Sequence, residues 1–464
     1  MKKMIALLLA LALVIGLVAC GNTPDTPNTP DTPNNEQPNT PDTPDTPDTP
    51  DTPDVSADYV QGVTDTTIYI GNTAATTGGF AIVGVPFNAG LEATLDWYNA
   101  NGGFNGKNVE LIHYDDGFDA AQGVTYTKTL VEDDKVFALV GHFGTNTVAA
   151  TLDYVKETGI PTAYIVTGIS ALYGEGLTGN DACYFPVQPI YDGEGRMLLA
   201  RAMASTEGGY GLGGKKIGVL ATTDDAGNGM LTGIKRQAQE GTVDLVIQEV
   251  DAAATDYINA VSYLMANGCD VVIAAMNQVP LATALASMAA VEYNVPVLSS
   301  YVNASATTLG ALIDAGYITA DRPVYTTTWL DTGTEAGMNE YMEFASIMLA
   351  WEAANGIDST DPTQTYVLNS YAMCGYICAM NFIHGLEQLK ANGQELTWTN
   401  YIAAMESAPF HIPMGGDINY ANGDRIGVTA LAMQCISLEA VDGVYALQTV
   451  SPLISLDDVW SHVN

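Results

Sequence analysis

One segment of the chain has the residue types of an anion-binding site. Gly141-His-Phe-Gly-Thr145-Asn146-Thr147 lies between a predicted strand and a predicted helix. The first backbone amides of a helix have no partner within the helix. These amides and the neighbouring threonine hydroxyls would therefore be aimed at an anion such as a carboxylate. Thr145 and Asn146 could instead serve as plain N-caps of the helix, and the residues alone leave both interpretations open.

The sequence lacks the common enzyme motifs. It contains no H-E-x-x-H, no C-x-x-C, no G-x-S-x-G nucleophile elbow and no P-loop lysine. His142 could act as a base beside the anion-binding segment, but a histidine packed against the loop is the alternative. Asp115-Asp116 could suggest a paired-carboxylate hydrolase or a Ca²⁺ site. We predict a protein that is not an enzyme, with no catalytic residue, no metal and no cofactor.

Five cysteines lie beyond Cys20. An odd number cannot be fully paired, and five in so long a chain do not form a disulfide scaffold. Two of them lie one helical turn apart in an apolar helix, so we expect buried free thiols. A metal pair would need further ligands, and only His384 is near in sequence. The redox state of the five stays open: Cys183, Cys269, Cys374, Cys378 and Cys435.

The first residues read as an export signal. Met1-Lys2-Lys3-Met4 carries positive charge, and the apolar run that follows, 5–18, is shorter than the ~20 residues of a membrane span. The run ends in Leu17-Val18-Ala19-Cys20, which resembles the bacterial lipobox, whose cysteine is acylated. We expect 1–19 to be a signal peptide and Cys20 to carry lipid. An ordinary signal with a chance cysteine is the alternative.

A repeat of Thr-Pro-Asp follows the lipobox. Ten of the 21 prolines lie between Pro24 and Pro53. Proline removes amide donors and fixes φ, which favours an extended, solvated chain at ~3.1 Å per residue. We expect 20–58 to comprise the lipidated cysteine and a disordered stalk that spans a cell wall. This places the protein on the extracellular face of a Gram-positive cell membrane, attached only through its lipid.

The charge of the chain excludes some partners. The formal net charge is −38, and beyond the stalk there remain 13 basic and 45 acidic residues. A polyanion repels phosphate backbones and anionic headgroups, so we expect no nucleic-acid binding and no electrostatic membrane binding. With 47% apolar residues, the body of the chain can bury ordinary cores.

Short β-branched runs alternate with helix-like stretches along that body. The alternation breaks near Gln188-Pro189 and then starts again. Strands alternating with helices predict parallel sheets, and two series predict two doubly wound α/β lobes. Ligands bind beyond the carboxyl ends of such strands, so we expect a cleft between the lobes. The predicted strands are 67–71, 108–114, 136–140, 162–166, 216–220, 243–247, 270–274 and 295–298.

Several short motifs follow one another in order along residues 66–450. They include Ile68-Tyr-Ile-Gly71, Asn99-Ala-Asn-Gly-Gly-Phe-Asn-Gly-Lys107, Tyr114-Asp-Asp-Gly117, Gly141-His142, Gln188-Pro-x-Tyr191, Thr223-Asp-Asp225 and Gly416-Asp-Ile-Asn-Tyr-x-x-x-Gly423. Each motif alone is weak, but their order and spacing specifically resemble the type I periplasmic binding proteins. The nearest subgroup is the leucine/isoleucine/valine-binding branch of ABC transporter substrate-binding lipoproteins.

The resemblance implies three crossovers between the lobes, near residues 189, 328 and 423. Lobe 1 would comprise 66–188 plus 330–422, lobe 2 would comprise 190–328 plus 424–450, and 451–464 would be a C-terminal tail. Such a protein captures a small polar or carboxylate solute by hinge closure, with a branched-chain or other amino acid as the leading ligand. It acts as a monomer and delivers the solute to an ABC permease and ATPase. A ligand-sensing module for a signalling partner, or a receptor for aromatic acids, amides or urea, is the alternative.

The resemblance also implies site residues. Family members bind the ligand carboxylate at the position matching Thr145, beside Asn146, and at the stretch matching Gly168-Ile169-Ser170. In that family the Asp115-Asp116 pair is structural, and some members have a disulfide at the positions of Phe118 and Gly144. Four residues of lobe 2 fall where relatives face the cleft: Tyr191, Asp225, Asn277 and Ser299.

Two departures from the family pattern bear on the ligand. Ala226 replaces an aromatic residue that often covers the ligand, and Ser299 aligns with the acid that pairs with an α-ammonium. A buried ammonium without a carboxylate partner is costly, so the pattern argues against an amino acid. Asp225 or Asp192 could restore an ammonium site.

Overall fold

The computed structural model describes residues 60–441 and 443–463. The predicted signal peptide (1–19), Cys20 and the Thr-Pro-Asp stalk (20–58) therefore lie outside the described residues. No helix in the described ranges is both long and apolar enough to cross a membrane.

The first lobe is built on a five-stranded, wholly parallel sheet with the order β2-β1-β3-β4-β5. Helices pack against this sheet, so its inner strands are buried on both faces, and β1 and β3 are correspondingly apolar or β-branched. The strands are β1 (Thr67–Ala74), β2 (Asn108–Asp115), β3 (Ala138–Val140), β4 (Thr162–Ala163) and β5 (Tyr184–Phe185).

The second lobe contains a seven-stranded sheet with the order β14-β13-β10-β9-β8-β6-β7. The five strands β6 to β10 are parallel to one another; the alternation predicted β6 to β9 and missed β10. The strands β13 and β14 pair antiparallel, which the sequence did not indicate. The strands are β6 (Ile217–Thr222), β7 (Leu245–Val250), β8 (Val271–Ala275), β9 (Val297–Ser299), β10 (Val324–Thr328), β13 (Leu431–Ile436) and β14 (Leu447–Ile454).

Helices connect the strands, and their ends follow simple local rules. The third helix, for example, begins after Gly144 at φ 92° and ends at Gly159, a left-handed C-cap at φ 72°. In the first lobe lie α1 (Ala81–Ala100), α2 (Ala120–Lys128), α3 (Thr145–Thr158), α9 (Glu335–Ala354), α10 (Ser370–Asn392), α11 (Trp398–Ser407) and the hairpin of β11 (Phe410–His411) and β12 (Asp417–Ile418). In the second lie α4 (Tyr191–Met203), α5 (Asp225–Gly241), α6 (Ile258–Ala266), α7 (Gln278–Ala290), α8 (Ala306–Asp314) and α12 (Leu456–Trp460).

The chain passes between the two sheets three times. The passages follow β5, β10 and the short 3₁₀ turn Ala421–Gly423. The first and third lie side by side, since the Val428 amide donates to the Val187 carbonyl at 3.1 Å. The two doubly wound lobes and their three-crossover hinge are thus confirmed. The exact lobe boundaries stay a proposal.

The C-terminal boundary needs revision. The sequence placed a tail at 451–464, but β14 continues to Ile454 within the second sheet. Beyond it, α12 packs against α4, where Val459 is fully buried. The strand β14 lies at the edge of the sheet, and three of its first four residues are exposed. It therefore lacks the apolar pattern from which strands were predicted. We propose that lobe 2 extends through residue 463.

Candidate ligand-binding site

A cavity of about 70 Å³ lies between the two lobes, at the carboxyl ends of their strands. That is room for on the order of five water-sized groups, which suits a compact solute. Phe118, Phe143 and Val166 follow β2, β3 and β4, whereas Asn277 and Tyr301 follow β8 and β9. The cavity therefore occupies the position that parallel α/β sheets favour for ligands.

The start of α3 faces this cavity with its amides free. Gly144 takes the N-cap position at φ 92°, and no side chain caps the helix. Within the described residues, the amides of Thr145, Asn146 and Thr147 make no hydrogen bond. The Thr145 hydroxyl lines the cavity, 3.0 Å from the Thr167 hydroxyl and 3.5 Å from the Tyr191 phenol oxygen. Neither Thr145 nor Asn146 is therefore the N-cap of α3, and the assignment of this helix start to an anion subsite stays a proposal.

The acidic pair near this helix, Asp115 and Asp116, accepts hydrogen bonds from the surrounding loops and from α3. Asp115 accepts from the amides of Thr76 at 2.9 Å and Gly117 at 3.0 Å. Asp116 accepts from the Thr147 hydroxyl at 2.6 Å. Neither carboxylate lines the cavity, and no group of three or more His, Cys, Asp or Glu in the described ranges could hold a metal ion.

Two amide side chains line the cavity without a protein partner. Neither Gln188 nor Asn277 makes a side-chain hydrogen bond to another described residue, although both are more than nine-tenths buried. Their amide atoms are not among the fully buried side-chain atoms that lack a partner in the described residues, so these atoms keep some exposure. The neighbouring Gln278 is satisfied, since its Nε2 donates to the Val302 carbonyl at 2.6 Å and lies 3.3 Å from the Tyr371 phenol. Gln188 and Asn277 are thus free to bind a polar ligand group.

The rest of the wall is apolar and aromatic. Phe80 and Phe118 stack with ring centroids 3.8 Å apart, and Phe118 holds the left-handed backbone conformation at φ 67°. Gly144 is required beneath this ring, because an added Cβ would lie 3.0 Å from the ring of Phe118. Trp329 and Tyr371 add further aromatic surface. Among the described residues, no charged side chain lines the cavity.

Three of the nine residues named from sequence line this cavity: Thr145, Tyr191 and Asn277. Tyr191 also joins the lobes, because its amide donates to the Gly168 carbonyl at 2.6 Å. Burial raises the pKa of its phenol, which keeps the hydroxyl neutral.

The structure places three other predicted residues beside the cavity but not in its wall. Asn146 is half-buried one residue into α3, with its amide still free. Gly168 and Ile169, which follow β4, are buried, and Gly168 lies against the first passage. A Cβ at Gly168 would meet the Pro189 carbonyl at 2.3 Å, so this glycine allows the close approach of the two chain segments.

The last three lie away from the ligand space. Ser170 and Asp225 are exposed. Ser299 is fully buried in β9, where its hydroxyl donates to the Ala274 carbonyl at 2.9 Å and accepts from the Asn303 amide at 2.8 Å. Its hydrogen bonds are used within lobe 2, where they connect β9 to β8 and to the turn that follows β9.

His142 lies behind the wall. It is fully buried and its Nε2 lies 2.7 Å from the Thr151 hydroxyl. Burial lowers its pKa to about 4, so the ring is neutral at physiological pH. It does not line the cavity and offers no base to a solute there.

Sequence reasoning missed most of the aromatic wall. The missed residues lie directly after strands or at the starts of helices, where the sequence was read for polar groups only. The rule that ligands sit beyond the carboxyl ends of strands could have indicated several of them. They include Phe80, Phe118, Phe143, Gln188, Gln278, Tyr301, Trp329 and Tyr371.

The chain is similar in sequence to a known binding protein. An amino acid binding protein of Pseudomonas aeruginosa is 25% identical over 214 residues, which is 44% of this chain and 52% of that protein. The matched part thus spans about half the length of that relative.

Two solved structures show the same fold over nearly their whole length. A fatty acid ABC transporter substrate-binding protein from Thermomonospora curvata has a TM-score of 0.70 at 18% identity, covering 87% of this chain and 96% of that one. A branched-chain amino acid transporter substrate-binding protein from Streptococcus pneumoniae, in complex with isoleucine, has a TM-score of 0.64 at 17% identity, covering 83% and 100%.

The family described as periplasmic binding protein matches residues 67–438. This match spans the first sheet, all strands of the second sheet except β14, and all three passages between them. Together with the relatives above, it confirms the resemblance to the type I, leucine/isoleucine/valine-binding branch. The chain belongs to the periplasmic binding protein family.

Proposed function

We propose that the protein is the solute receptor of an ABC importer and that it binds a small carboxylate whose remainder is uncharged. One observation carries this proposal: the free amides of α3 and the Thr145 hydroxyl meet a cavity wall without a charged side chain. The described lining offers hydrogen-bonding groups to a solute and includes no charged side chain.

The start of α3 would hold the carboxylate. Backbone amides and a helix N-terminus supply partial positive charge without a buried cation. The Thr145 hydroxyl and the Tyr191 phenol, 3.5 Å apart, can both donate to the same oxygen. Gln188 and Asn277 would hold a second polar group or the other carboxylate oxygen.

The remainder of the solute has no ionic partner. An α-ammonium would need a carboxylate, but Asp225 is exposed and Asp192 lies 3.6 Å from the Arg236 guanidinium. The aromatic wall suits an apolar body instead. The fatty acid binding protein of the same fold takes such a solute, whereas the isoleucine complex shows that the fold also admits an amino acid. The fold therefore does not decide the ligand, and the proposal rests on the residues of the cavity wall.

Capture follows from the architecture. Two lobes on three connecting segments can open and close, and solute favours closure because only the closed cleft presents both walls. The closed receptor, anchored through Cys20 and acting as a monomer, would then deliver the solute to a permease and ATPase. A sensing role for a signalling partner would use the same closure, and neighbouring permease and ATPase genes distinguish the two.

A thermal-shift panel tests the ligand class. Suitable probes are isoleucine, its 2-keto acid, 4-methylpentanoate, benzoate and urea. We expect the acids without ammonium to raise the melting temperature, since ligand at 100 times its Kd adds about 2.7 kcal/mol of stability. A shift with isoleucine and none with its keto acid would contradict the uncharged wall, and a shift with urea alone would contradict the anion subsite.

A further inference from the structure

A fully buried carboxylate lies at the hinge. It has no role in the ligand site described above. Glu194, in the first turn of α4, is 1% exposed. Its Oε1 accepts from the Tyr301 amide at 2.8 Å and from the Thr327 hydroxyl, and its Oε2 accepts from the Ser300 hydroxyl at 2.7 Å. Every one of these contacts has the carboxylate as acceptor.

These partners connect two of the three passages between the lobes. Glu194 follows the first passage within one helical turn. Thr327 is the penultimate residue of β10, directly before the second passage, whose Trp329 lines the cavity. Tyr301 lines the cavity as well, and its phenol donates to the Pro189 carbonyl of the first passage at 3.1 Å. The carboxylate thus ties the ligand wall to the hinge.

Burying a charged carboxylate at this position costs free energy. No lysine, arginine or histidine forms an ion pair with Glu194 among the described residues, and desolvation raises the pKa of its carboxyl to about 7. An apolar side chain would avoid this cost. A buried polar group retained at such a cost is a candidate for specifying one arrangement of the surrounding segments.

We propose that Glu194 is a positioning residue that fastens the first two interlobe passages together and thereby sets how tightly the cleft holds its solute. The proposal rests on the solute-binding function proposed above, but it concerns the hinge and not the identity of the solute.

Ionisation of the carboxyl would tune this contact. The titratable groups that face Glu194 are the phenols of Tyr191, on its own helix, and Tyr301, on the turn after β9. Burial raises the pKa of both, so both stay neutral; β10 contributes only the Thr327 hydroxyl. Of these groups, only the carboxyl of Glu194 changes charge between about pH 6 and 8. Its three partners all lie in lobe 2, so we expect the carboxyl to be equally desolvated in the open and closed forms. Protonation then acts by reversing one of the hydrogen bonds that the carboxylate accepts, and we expect affinity to fall as the pH is lowered through 7.

Glu194→Gln is the direct test, because it keeps the shape and mimics the protonated acid. The probe is whichever acid of the panel above binds most tightly, followed by calorimetry at pH 6 and pH 8. We expect wild type to bind about 5- to 10-fold more weakly at pH 6, and Glu194→Gln to bind that weakly at both values. Thr327→Val removes the hydroxyl that donates to Glu194 and keeps the shape of the side chain, so it should also lower the affinity.

The chain offers a matched control. Glu352 in α9 is also fully buried, and it too accepts from a hydroxyl, that of Thr365 at 3.0 Å, and an amide, that of Tyr366 at 2.6 Å. It lies outside the cavity wall. Glu352→Gln should leave the affinity and its pH profile as in wild type. Equal losses in both variants would overturn the proposal, since they would reflect general loss of packing.

A second measurement does not depend on any solute. Hydrogen exchange at the Tyr301 amide, corrected for intrinsic rate, should be faster in Glu194→Gln than in wild type at pH 8 and equal at pH 6. If no probe binds wild type, the proposed function fails while this exchange result still decides the hinge contact. Unchanged exchange and a wild-type pH profile in Glu194→Gln would overturn the hinge proposal alone.

Discussion

The two walls of the cavity are built differently. The lobe 1 wall combines the free start of α3 with stacked aromatic rings, Phe80 on Phe118. The lobe 2 wall presents the phenols of Tyr191 and Tyr301 and the amide of Asn277. One wall thus offers a fixed anion subsite within apolar surface, and the other offers neutral hydrogen-bonding groups.

This difference assigns different tasks to the lobes. A helix start is rigid and can hold a charged end of the solute when the cleft is still open. Neutral phenols and amides contribute only when lobe 2 closes over the bound solute. We therefore expect substitutions on the lobe 1 subsite to have the larger effects, with affinity measured for the tightest-binding acid of the panel.

The largest effect should come from Thr145→Ala. A hydrogen bond to a charged group contributes roughly 1.5–3 kcal/mol, so affinity should fall about 10- to 150-fold. Titration calorimetry measures this loss, and Thr145→Ser, which keeps the hydroxyl, should retain most of the affinity. Unchanged binding in Thr145→Ala would show that the carboxylate lies elsewhere and would remove the asymmetry between the walls.

A smaller effect is expected for Asn277→Ala. A neutral hydrogen bond contributes roughly 0.5–1.5 kcal/mol, so the loss should be about 2- to 12-fold and should appear mainly in the dissociation rate. Ser299→Ala is the control from the same lobe, because Ser299 bonds only Ala274 and Asn303. It should lower the melting temperature and leave affinity intact. A larger loss in Ser299→Ala than in Asn277→Ala would support the sequence-based assignment over the observed geometry.

The smallest effect should follow Phe118→Leu. Leucine keeps an apolar side chain without a β-branch at the φ of 67°, so the change removes mainly the stacking surface. Stacking contributes on the order of 0.5 kcal/mol here, or about twofold in affinity. Benzoate should lose this factor in calorimetry while 4-methylpentanoate does not. Equal losses for both would mean that the ring serves only as apolar packing.

The order of strands and helices was predictable because it depends on local pattern. Buried β-branched runs identified β1 to β4 and β6 to β9 to within a few residues, whereas the two-residue strand β5 was missed. The failures have physical causes. The strand predicted over 162–166 ends at Ala163, because Tyr164 adopts φ 48°, and a tyrosine gives no local sign of that conformation. The strand β14 was missed because edge strands face solvent and lose the apolar signal.

The site was predictable only where local geometry is enough. The free start of α3 follows from Gly144 and Thr145 alone, and the structure places Thr145 in the cavity wall. Whether a residue in lobe 2 faces the cleft depends on strand register and on the partners that reach it. Asn277 and Ser299 follow or end neighbouring strands, yet only Asn277 lines the cavity, while Ser299 bonds to the loop beside it.

The sequence by itself determined the two series of strands and helices, because the apolar pattern of each element depends only on residues that are close together in the chain. The parallel sheets and the cleft between them follow from these two series. Tertiary structure alone decided which residues after the strand ends face the solute and which satisfy one another. It also decided the environment of Glu194, whose three partners lie more than 100 residues away along the chain. A carboxylate's surroundings are set by contacts across the fold, and no local pattern records them.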